Sequence, residues 1–262
     1  DSSIPVEINI APILQENESP LFVSVARNVF AQKELDRMRD DFIATLTHDL
    51  RTPLLASIQT LAYFLDGTLG DLNENQTKFL QTMKTSNEEM LGLVNALLEV
   101  YRYEAGKLNL YKTKFELNQF IENCIEPIVP LFLQKQVKLV LNLSKTKNMK
   151  IEADKNELRR VVVNLCGNAL KYTPTNGTVT IESSVFNKKD IRISVQDTGI
   201  GIDAKEVPKM FKRFYQCCDK KTSASTGLGL YLSKQIIDAH NGKIWVESMK
   251  NQGSKFVFVL FN

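Results

Sequence analysis

Two runs of apolar residues at helical spacing leave the first part of this chain few ways to fold. The first passes through Val25, Val29, Leu35, Met38, Phe42, Leu46, Leu50, Leu54, Leu61 and Phe64. It stops at "DGTLGD" (66–71), whose glycines mark a turn, and the second run takes Phe79, Met83, Met90, Val94, Leu97 and Tyr101 before Gly106. Residues three and four apart share one helix face, so the pattern predicts two long helices, from about Phe22, folded back as an antiparallel hairpin. A two-helix hairpin cannot bury its apolar stripe by itself. A symmetric dimer covers it by making a four-helix bundle; packing against the chain's own C-terminal domain is the alternative. Residues 1–21 hold Pro5, Pro12 and Pro20 with little periodicity and are expected to form an irregular lead-in.

The period changes after residue 114. Helical stretches at about 117–134, 155–172 and 228–240 alternate irregularly with strand candidates at 137–143, 149–154, 178–186, 190–197, 243–248 and 255–261. Helices with an open sheet of mixed strand direction suggest a two-layer α/β sandwich, so the whole chain reads as α+β. The expected divisions are a lead-in over 1–21, a signalling helix and hairpin over 22–112, and a second domain over 113–262.

A net charge of +3 and the lack of a basic stripe with interleaved aromatics argue against a nucleic-acid partner. The longest apolar stretches, "IVPLFL" and "KFVFVLF", fall far short of the ~20 residues that cross a bilayer. The start "DSSIPV", without Met or a leader pattern, reads as part of a longer protein that is either soluble or membrane-anchored upstream. The four cysteines have no zinc or redox spacing. Cys166 falls in an apolar helix pattern, and Cys217–Cys218 reads as two reduced thiols in a loop, as in a cytoplasmic setting.

The chain has two histidines, and one stands in "HDLRTP" (48–53). On a helical wheel His48 lies opposite Phe42, Leu46, Leu50 and Leu61, so it faces solvent. Asp49 adjoins it and can accept an imidazole proton, leaving the other ring nitrogen free to attack. Thr52, one turn on, can orient a water molecule or a phosphoryl oxygen. Pro53 removes the amide that would bond to the Asp49 carbonyl, so a bend is expected there. Leu55 is apolar on the same exposed face, which suits a docking partner.

In "DKNELRRVVVNLCGNALKYT" (154–173), Asp154 and Glu157 have capping-box spacing. Asn164, Asn168 and Lys171 gather at the rim of the buried stripe. They suit either a solvated face or a site in which amide oxygens hold hydrated Mg²⁺ and the ammonium neutralises phosphate. "DTGIGI" (197–202) gives Asp197 as an acceptor for an exocyclic amine, followed by an approachable backbone. "STGLGL" (225–230) would turn helix N-terminal amides toward phosphates. Residues 203–224, between these motifs, read as a lid in which Phe211 and Phe214 are core residues, lid anchors, or both.

With these pieces in order, the chain resembles the transmitter core of sensor histidine kinases of two-component systems. "HDLRTP" is similar to that family's H box, "NLCGNALKYT" to its N box, and "DTGIGI" to its first glycine box. "FKRF" and "GLGL" are similar to its F box and second glycine box. The resemblance covers about residues 30–262. It implies a dimerisation and phosphotransfer hairpin followed by an ATP-binding domain of the histidine kinase, Hsp90 and gyrase type.

By that resemblance His48 is the phosphoacceptor, Asp49 its activating base, and Thr52 a helper in dephosphorylating the partner. Asn168 and Asn164 would hold Mg²⁺. Lys171, Tyr172, Asp197, Gly199, Gly201, Gly227, Leu228 and Gly229 would bind or shape the ATP site, and Arg213 would touch the γ-phosphate. Asp49 stands where Glu is commoner, and Ser225 where many members have Gly. The partners implied are a response regulator receiver domain, docking over Leu55, Gln59, Ala62 and Tyr63, a second copy of the chain, and an upstream sensor domain. The rivals are an ATP-responsive scaffold, which leaves the His–Asp pair without use, and a chaperone- or topoisomerase-like ATPase, which leaves the hairpin without use.

Overall fold

The computed structural model describes residues 5–13, 21–104, 110–146, 148–187, 190–217 and 226–261. The chain divides into two units, Asp1–Val94 and Asn95–Asn262. The division falls inside the second long helix rather than at the 112/113 boundary expected from sequence. Its last turns carry Val100, 3 % exposed, which packs with Leu228 and Leu232 of the second unit.

The first unit corrects the reading of the lead-in. Strands β1 (Val6–Ile13) and β2 (Leu21–Asn28) pair antiparallel, from Val6 opposite Asn28 to Ile13 opposite Leu21. The alternation of "VEINIAPI" and the β-branched residues of "LFVSVARN" outweigh the prolines, and the spacing of Val25 and Val29 only imitates a helix. Helix α1 (Phe30–Leu65) therefore starts later than expected, with the Phe30 amide donating to Asn28 Oδ1 at 2.9 Å. It continues through Pro53 without interruption.

The turn after α1 lies where the glycines put it: Gly67 and Gly70 have φ of +82° and +110°, which only glycine adopts without strain. Helix α2 (Glu74–Glu104) opens on a reciprocal cap. The Gln76 amide donates to Asn73 Oδ1, and the Asn73 amide to Gln76 Oε1, each at 2.9 Å. Within this unit the Asn87 amide of α2 donates to Ser57 Oγ of α1 at 3.0 Å, and Leu61 is buried. Phe42, Leu46, Leu50, Phe79, Met83 and Met90 stay exposed, so among the described residues the apolar stripe of this unit is uncovered.

The second unit is the expected two-layer sandwich. Strand β3 (Lys112–Glu116), which the sequence reading missed, pairs antiparallel with β5 (Lys150–Asp154). The 117–134 helix is divided: α3 (Leu117–Ile125) and α4 (Val129–Gln134) flank a 3-10 turn at Glu126–Ile128, because Pro127 and Pro130 cannot donate to an α-helical ladder. Strands β4 (Lys138–Asn142), β6 (Thr178–Val185), β7 (Ile191–Asp197), β9 (Ser254–Leu260) and β8 (Lys243–Ser248) form one sheet in that spatial order. The β4–β6 pair is parallel and the others are antiparallel.

Helices α5 (Lys155–Tyr172) and α6 (Gly229–Ala239) supply much of the covering layer. Leu158, Val162 and Leu165 of α5 meet Ile181, Ile193 and Phe258 of the sheet in one core. Cys124 and Cys166 belong to that core, and burial pushes their thiols up to about 11 and about 12. No helix among the described residues is long and apolar enough to cross a membrane.

The α5 N-terminus differs from the expected capping box. Asp154 Oδ1 accepts from the Asn156 and Glu157 amides at 3.0 and 3.1 Å. The reciprocal acceptor for the Asp154 amide is His240 Nε2 at 3.0 Å rather than Glu157. Glu157 instead accepts the Tyr103 hydroxyl at 2.6 Å, and Arg160 bridges Glu157 and Glu99.

Candidate functional site

The first unit presents an imidazole on a helix surface. The side chain of His48 is 78 % exposed, and its Nδ1 lies 3.4 Å from Asp49 Oδ1. A neighbouring carboxylate at that distance favours the tautomer with the proton on Nδ1, which leaves the Nε2 lone pair facing solvent. The Thr52 hydroxyl, expected to face a phosphoryl oxygen or water, donates to the His48 carbonyl at 3.1 Å. Helical threonines bond back to the preceding turn in this way, and the bond keeps Thr52 beside His48. Leu55 and Tyr63 are exposed on the same helix, Gln59 as well, and Ala62 is half-buried.

The second unit holds a cavity of about 260 Å³ between α5, the end of β7 and the start of α6. Asn164, Asn168 and Tyr172 line it from α5, Asp197 and Gly201 from the turn after β7, and Gly227 and Gly229 from the approach to α6. Seven of the ten residues that the resemblance gives to the ATP site thus share one wall.

Asp197 is 4 % exposed, and its Oδ1 accepts from the Gly199 and Ser254 amides at 2.8 and 3.2 Å. Its second oxygen remains as an acceptor for a ligand in the cavity it lines. Burial raises the carboxyl above its ordinary pKa, and the two amides work against that rise. The Asn164 amide donates from Nδ2 to Ser233 Oγ at 2.9 Å, which turns Oδ1 toward Gly229. A side chain at Gly229 would overlap that oxygen, so glycine lets the α6 N-terminus approach Asn164.

Four expected residues stand elsewhere. The Gly199 amide serves Asp197 from beside the cavity. Lys171 is half-buried, its ammonium 5.5 Å over the Tyr172 ring, and does not line the wall. Arg213 is exposed, with its guanidinium 5.0 Å over the Tyr231 ring. Leu228 is 1 % exposed and packs with Val100 and Leu232, because the residue before α6 points into the helix layer while its glycine neighbours face the cavity.

Phe211 packs against the main core, whereas Phe214 is 61 % exposed with a φ of 57°. Residues 218–225 of the expected lid, including Cys218 and Ser225, lie outside the described residues. The sequence reading missed Met210, Tyr215, Gln216, Cys217 and Thr226, all on the cavity wall. Tyr215, next to the "FKRF" motif, was the one with a usable signal: a phenol inside the stretch already read as the lid.

A divalent ion would find amide oxygens here, not a carboxylate cage. Among the described residues no group of three His, Cys, Asp or Glu could hold a metal. Asn164 and Asn168 suit Mg²⁺, which keeps several waters and leans on phosphate oxygens.

Residues 38–106 match the His Kinase A (phospho-acceptor) domain, and residues 153–261 match the histidine kinase-, DNA gyrase B- and HSP90-like ATPase family. The sensor histidine kinase WalK of Bacillus subtilis is 30 % identical over 99 % of this chain and 43 % of its own length. The circadian input-output histidine kinase CikA of Thermosynechococcus vestitus is 34 % identical over 86 % of this chain and 31 % of its own. Full-length ShkA in complex with AMPPNP superposes with a TM-score of 0.70 at 26 % identity, over 84 % of this chain and 45 % of that one. The chain spans less than half the length of each of these three relatives.

Proposed function

Because this chain belongs to the sensor histidine kinases, we propose that it is the transmitter core of a longer sensor protein, moving a phosphoryl group from ATP to His48 and then to a response regulator aspartate. The observation that carries this reading is the exposed His48 imidazole with Asp49 Oδ1 at 3.4 Å, inside the region that matches a phospho-acceptor domain.

Phosphoryl transfer needs positioning and charge neutralisation more than covalent help. Asp49 holds the proton at Nδ1 while Nε2 attacks the γ-phosphorus in line. The bond to the β-phosphate oxygen breaks, ADP leaves with the electron pair, and the Nδ1 proton passes to the carboxylate. Asp197 takes the exocyclic amine of adenine on its open oxygen, and the α6 N-terminus faces the phosphates. Asn168 and Asn164 would hold Mg²⁺, which supplies neutralisation of phosphate charge. Tyr172 and Lys171 flank the nucleotide, Gly199, Gly201, Gly227 and Gly229 shape its loops, and Leu228 anchors the second loop. Arg213 reaches the γ-phosphate when the lid presents it.

The receiver domain docks over Leu55, Gln59, Ala62 and Tyr63. Rotation of the Thr52 hydroxyl toward a bound receiver gives phosphatase activity. The exposed stripe through Phe42, Leu46 and Leu50 is covered by a second copy in a four-helix bundle. An upstream sensor domain belongs to this reading, since β1 and β2 leave Val6, Ile8 and Ile10 exposed and two strands alone are marginal in water. The region acts in the cytoplasm.

Incubation with γ-labelled ATP should give one acid-labile, alkali-stable label per active site, absent in His48→Gln. Label that survives His48→Gln refutes the assignment, and nucleotide turnover without any protein label favours a plain ATPase.

A further inference from the structure

We propose that the open edge of β4, with the groove beside it, docks a partner protein through an extended apolar segment flanked by basic residues. The groove shares no lining residue with the ATP cavity, and the proposal does not depend on what that cavity holds.

Strand β4 ends the five-stranded sheet, and among the described residues no strand pairs with its other side. The Lys138 amide donates to the Gly177 carbonyl at 2.9 Å, on the side where β6 lies. Backbone polar groups alternate in direction along a strand, so those of Leu139 and Leu141 face outward, where a further strand would bond. Edges that are kept from pairing carry charge, proline or a bulge. In β4 a single lysine at the start is followed by Leu139, Val140 and Leu141.

Leu139 and Leu141 stand opposite the buried Val179 and Ile181, so they share the sheet face that the helices cover. Cover fails at this edge, where Leu141 is exposed and a groove of about 550 Å³ opens. Ile125 and Phe132 form its buried floor, and Val129, Leu133, Leu139 and Leu141 add apolar wall. Helix α4, "VPLFLQ", turns Phe132 inward and leaves Leu131 and Leu133 outside, Leu133 at 71 % exposure. An apolar groove beside an unpaired edge is the surface that takes up an added strand: its backbone bonds to the edge and its side chains fill the groove.

Charge selects the occupant. Glu122 and Glu126, one turn apart and both exposed, line the groove, and neither has an ion pair among the described residues. Lys138 is the one cation on the wall, so two carboxylates outweigh it. Lysine or arginine flanking the apolar residues of the segment would answer them.

The probe is a capped synthetic peptide of valines flanked by lysines, titrated into the full chain by fluorescence anisotropy. Exchange of the Leu139 and Leu141 amides is followed by NMR. The peptide should bind and slow exchange at both amides. Reversing both charges, Glu122→Lys with Glu126→Lys, should leave the melting temperature unchanged and weaken binding roughly tenfold. The same peptide with glutamates for lysines should bind the wild type correspondingly less well, and methylation of its backbone nitrogens should abolish binding. No binding overturns the proposal, as does binding that leaves exchange at Leu139 and Leu141 unchanged. Equal affinity for the acidic peptide overturns the charge assignment. Slower exchange at these amides on raising protein concentration alone would make the occupant a second copy of the chain, and the partner proposal fails.

Discussion

The ATPase unit buries Leu158, Val162, Leu165, Ile181 and Ile193 at 0–1 % exposure, while the hairpin unit leaves Phe42, Leu46, Leu50, Phe79 and Met83 at 44–73 %. Among its described residues the hairpin buries Thr47 and Leu61 alone. The reactive groups follow the same division. His48 stands on a helix surface with one short-range neighbour, whereas Asp197 is sunk in the wall and fixed by two amides. On the proposed reading His48 meets a nucleotide and then a receiver domain, which needs reach, and exposure provides it. On the same reading Asp197 takes one base in one orientation, which needs preorganised partners, and a packed core provides those.

The largest effects should separate the two units by their stabilising contacts. Leu165→Ala deletes a fully buried side chain of α5 and should cost about 2–5 kcal/mol, independent of protein concentration. Leu50→Ala, at 50 % exposure in the single chain, should instead lower stability only through self-association. Denaturant melts of both variants over a hundredfold range of concentration decide this. A Leu50→Ala loss that ignores concentration would mean that the stripe is covered within one chain.

Asp197→Asn should be next in size. The amide oxygen can keep the Gly199 and Ser254 bonds, so the unit folds, but the new NH₂ presents donors where an acceptor is needed. AMPPNP affinity should fall by about a hundredfold, the scale of a lost charge-assisted bond plus a donor clash. Unchanged affinity would remove Asp197 from the site and blunt the contrast between the units.

What was legible in the sequence follows the same division. The α5 limits, the turn at 66–71 and the strands of the main sheet were readable because period, caps and glycines agree there. The β1–β2 hairpin was not, since Pro5, Pro12 and Pro20 hid an alternating pattern and Val25–Val29 fitted a helix by chance. Asn164, Asn168, Tyr172 and Asp197, singled out by residue type and position, line the cavity. Leu228 was misplaced because a motif does not say which of its side chains points inward. The missed wall residues Met210, Tyr215, Gln216, Cys217 and Thr226 belong to no described helix or strand, so no period links their number to their direction.

The second histidine gives a smaller effect, confined to the ATPase unit. His240 is buried, accepts the Asp154 amide at Nε2 and donates from Nδ1 to the Ile236 carbonyl at 2.8 Å, so it is held neutral. Burial, with Lys112 nearby, lowers its pKa below the usual 6.5, against the opposing pull of the Ile236 carbonyl, Asp154 and Glu157. Below pH 6.5 the unfolded chain therefore binds a proton that the folded chain refuses. This contribution to stability is complete above pH 6.5 and is lost as pH falls, by at most about 1.4 kcal/mol per pH unit. Urea melts at pH 7.5, 6.5 and 5.5 should show the decline in the ATPase unit, and His240→Gln should flatten it. An undiminished slope in the variant would assign the decline to other groups.

The smallest effect tests whether the hairpin draws on local structure where it lacks a core. Asn73 and Gln76 exchange two 2.9 Å bonds at the start of α2, on an exposed surface. Asn73→Ala removes the side-chain acceptor and leaves the Gln76 amide to water, at a cost of about 1 kcal/mol. In the ATPase unit such a loss would be a small part of a large sum of packing terms. In the hairpin it is a large part of what one chain has, so it should appear as faster hydrogen exchange across the first turns of α2, with exchange in the ATPase core unchanged. If dimer contacts dominate the hairpin instead, the exchange increase should fade as protein concentration rises. Protection that is equal in variant and wild type at every concentration would mean that the cap contributes nothing and that α2 is nucleated from elsewhere along its length.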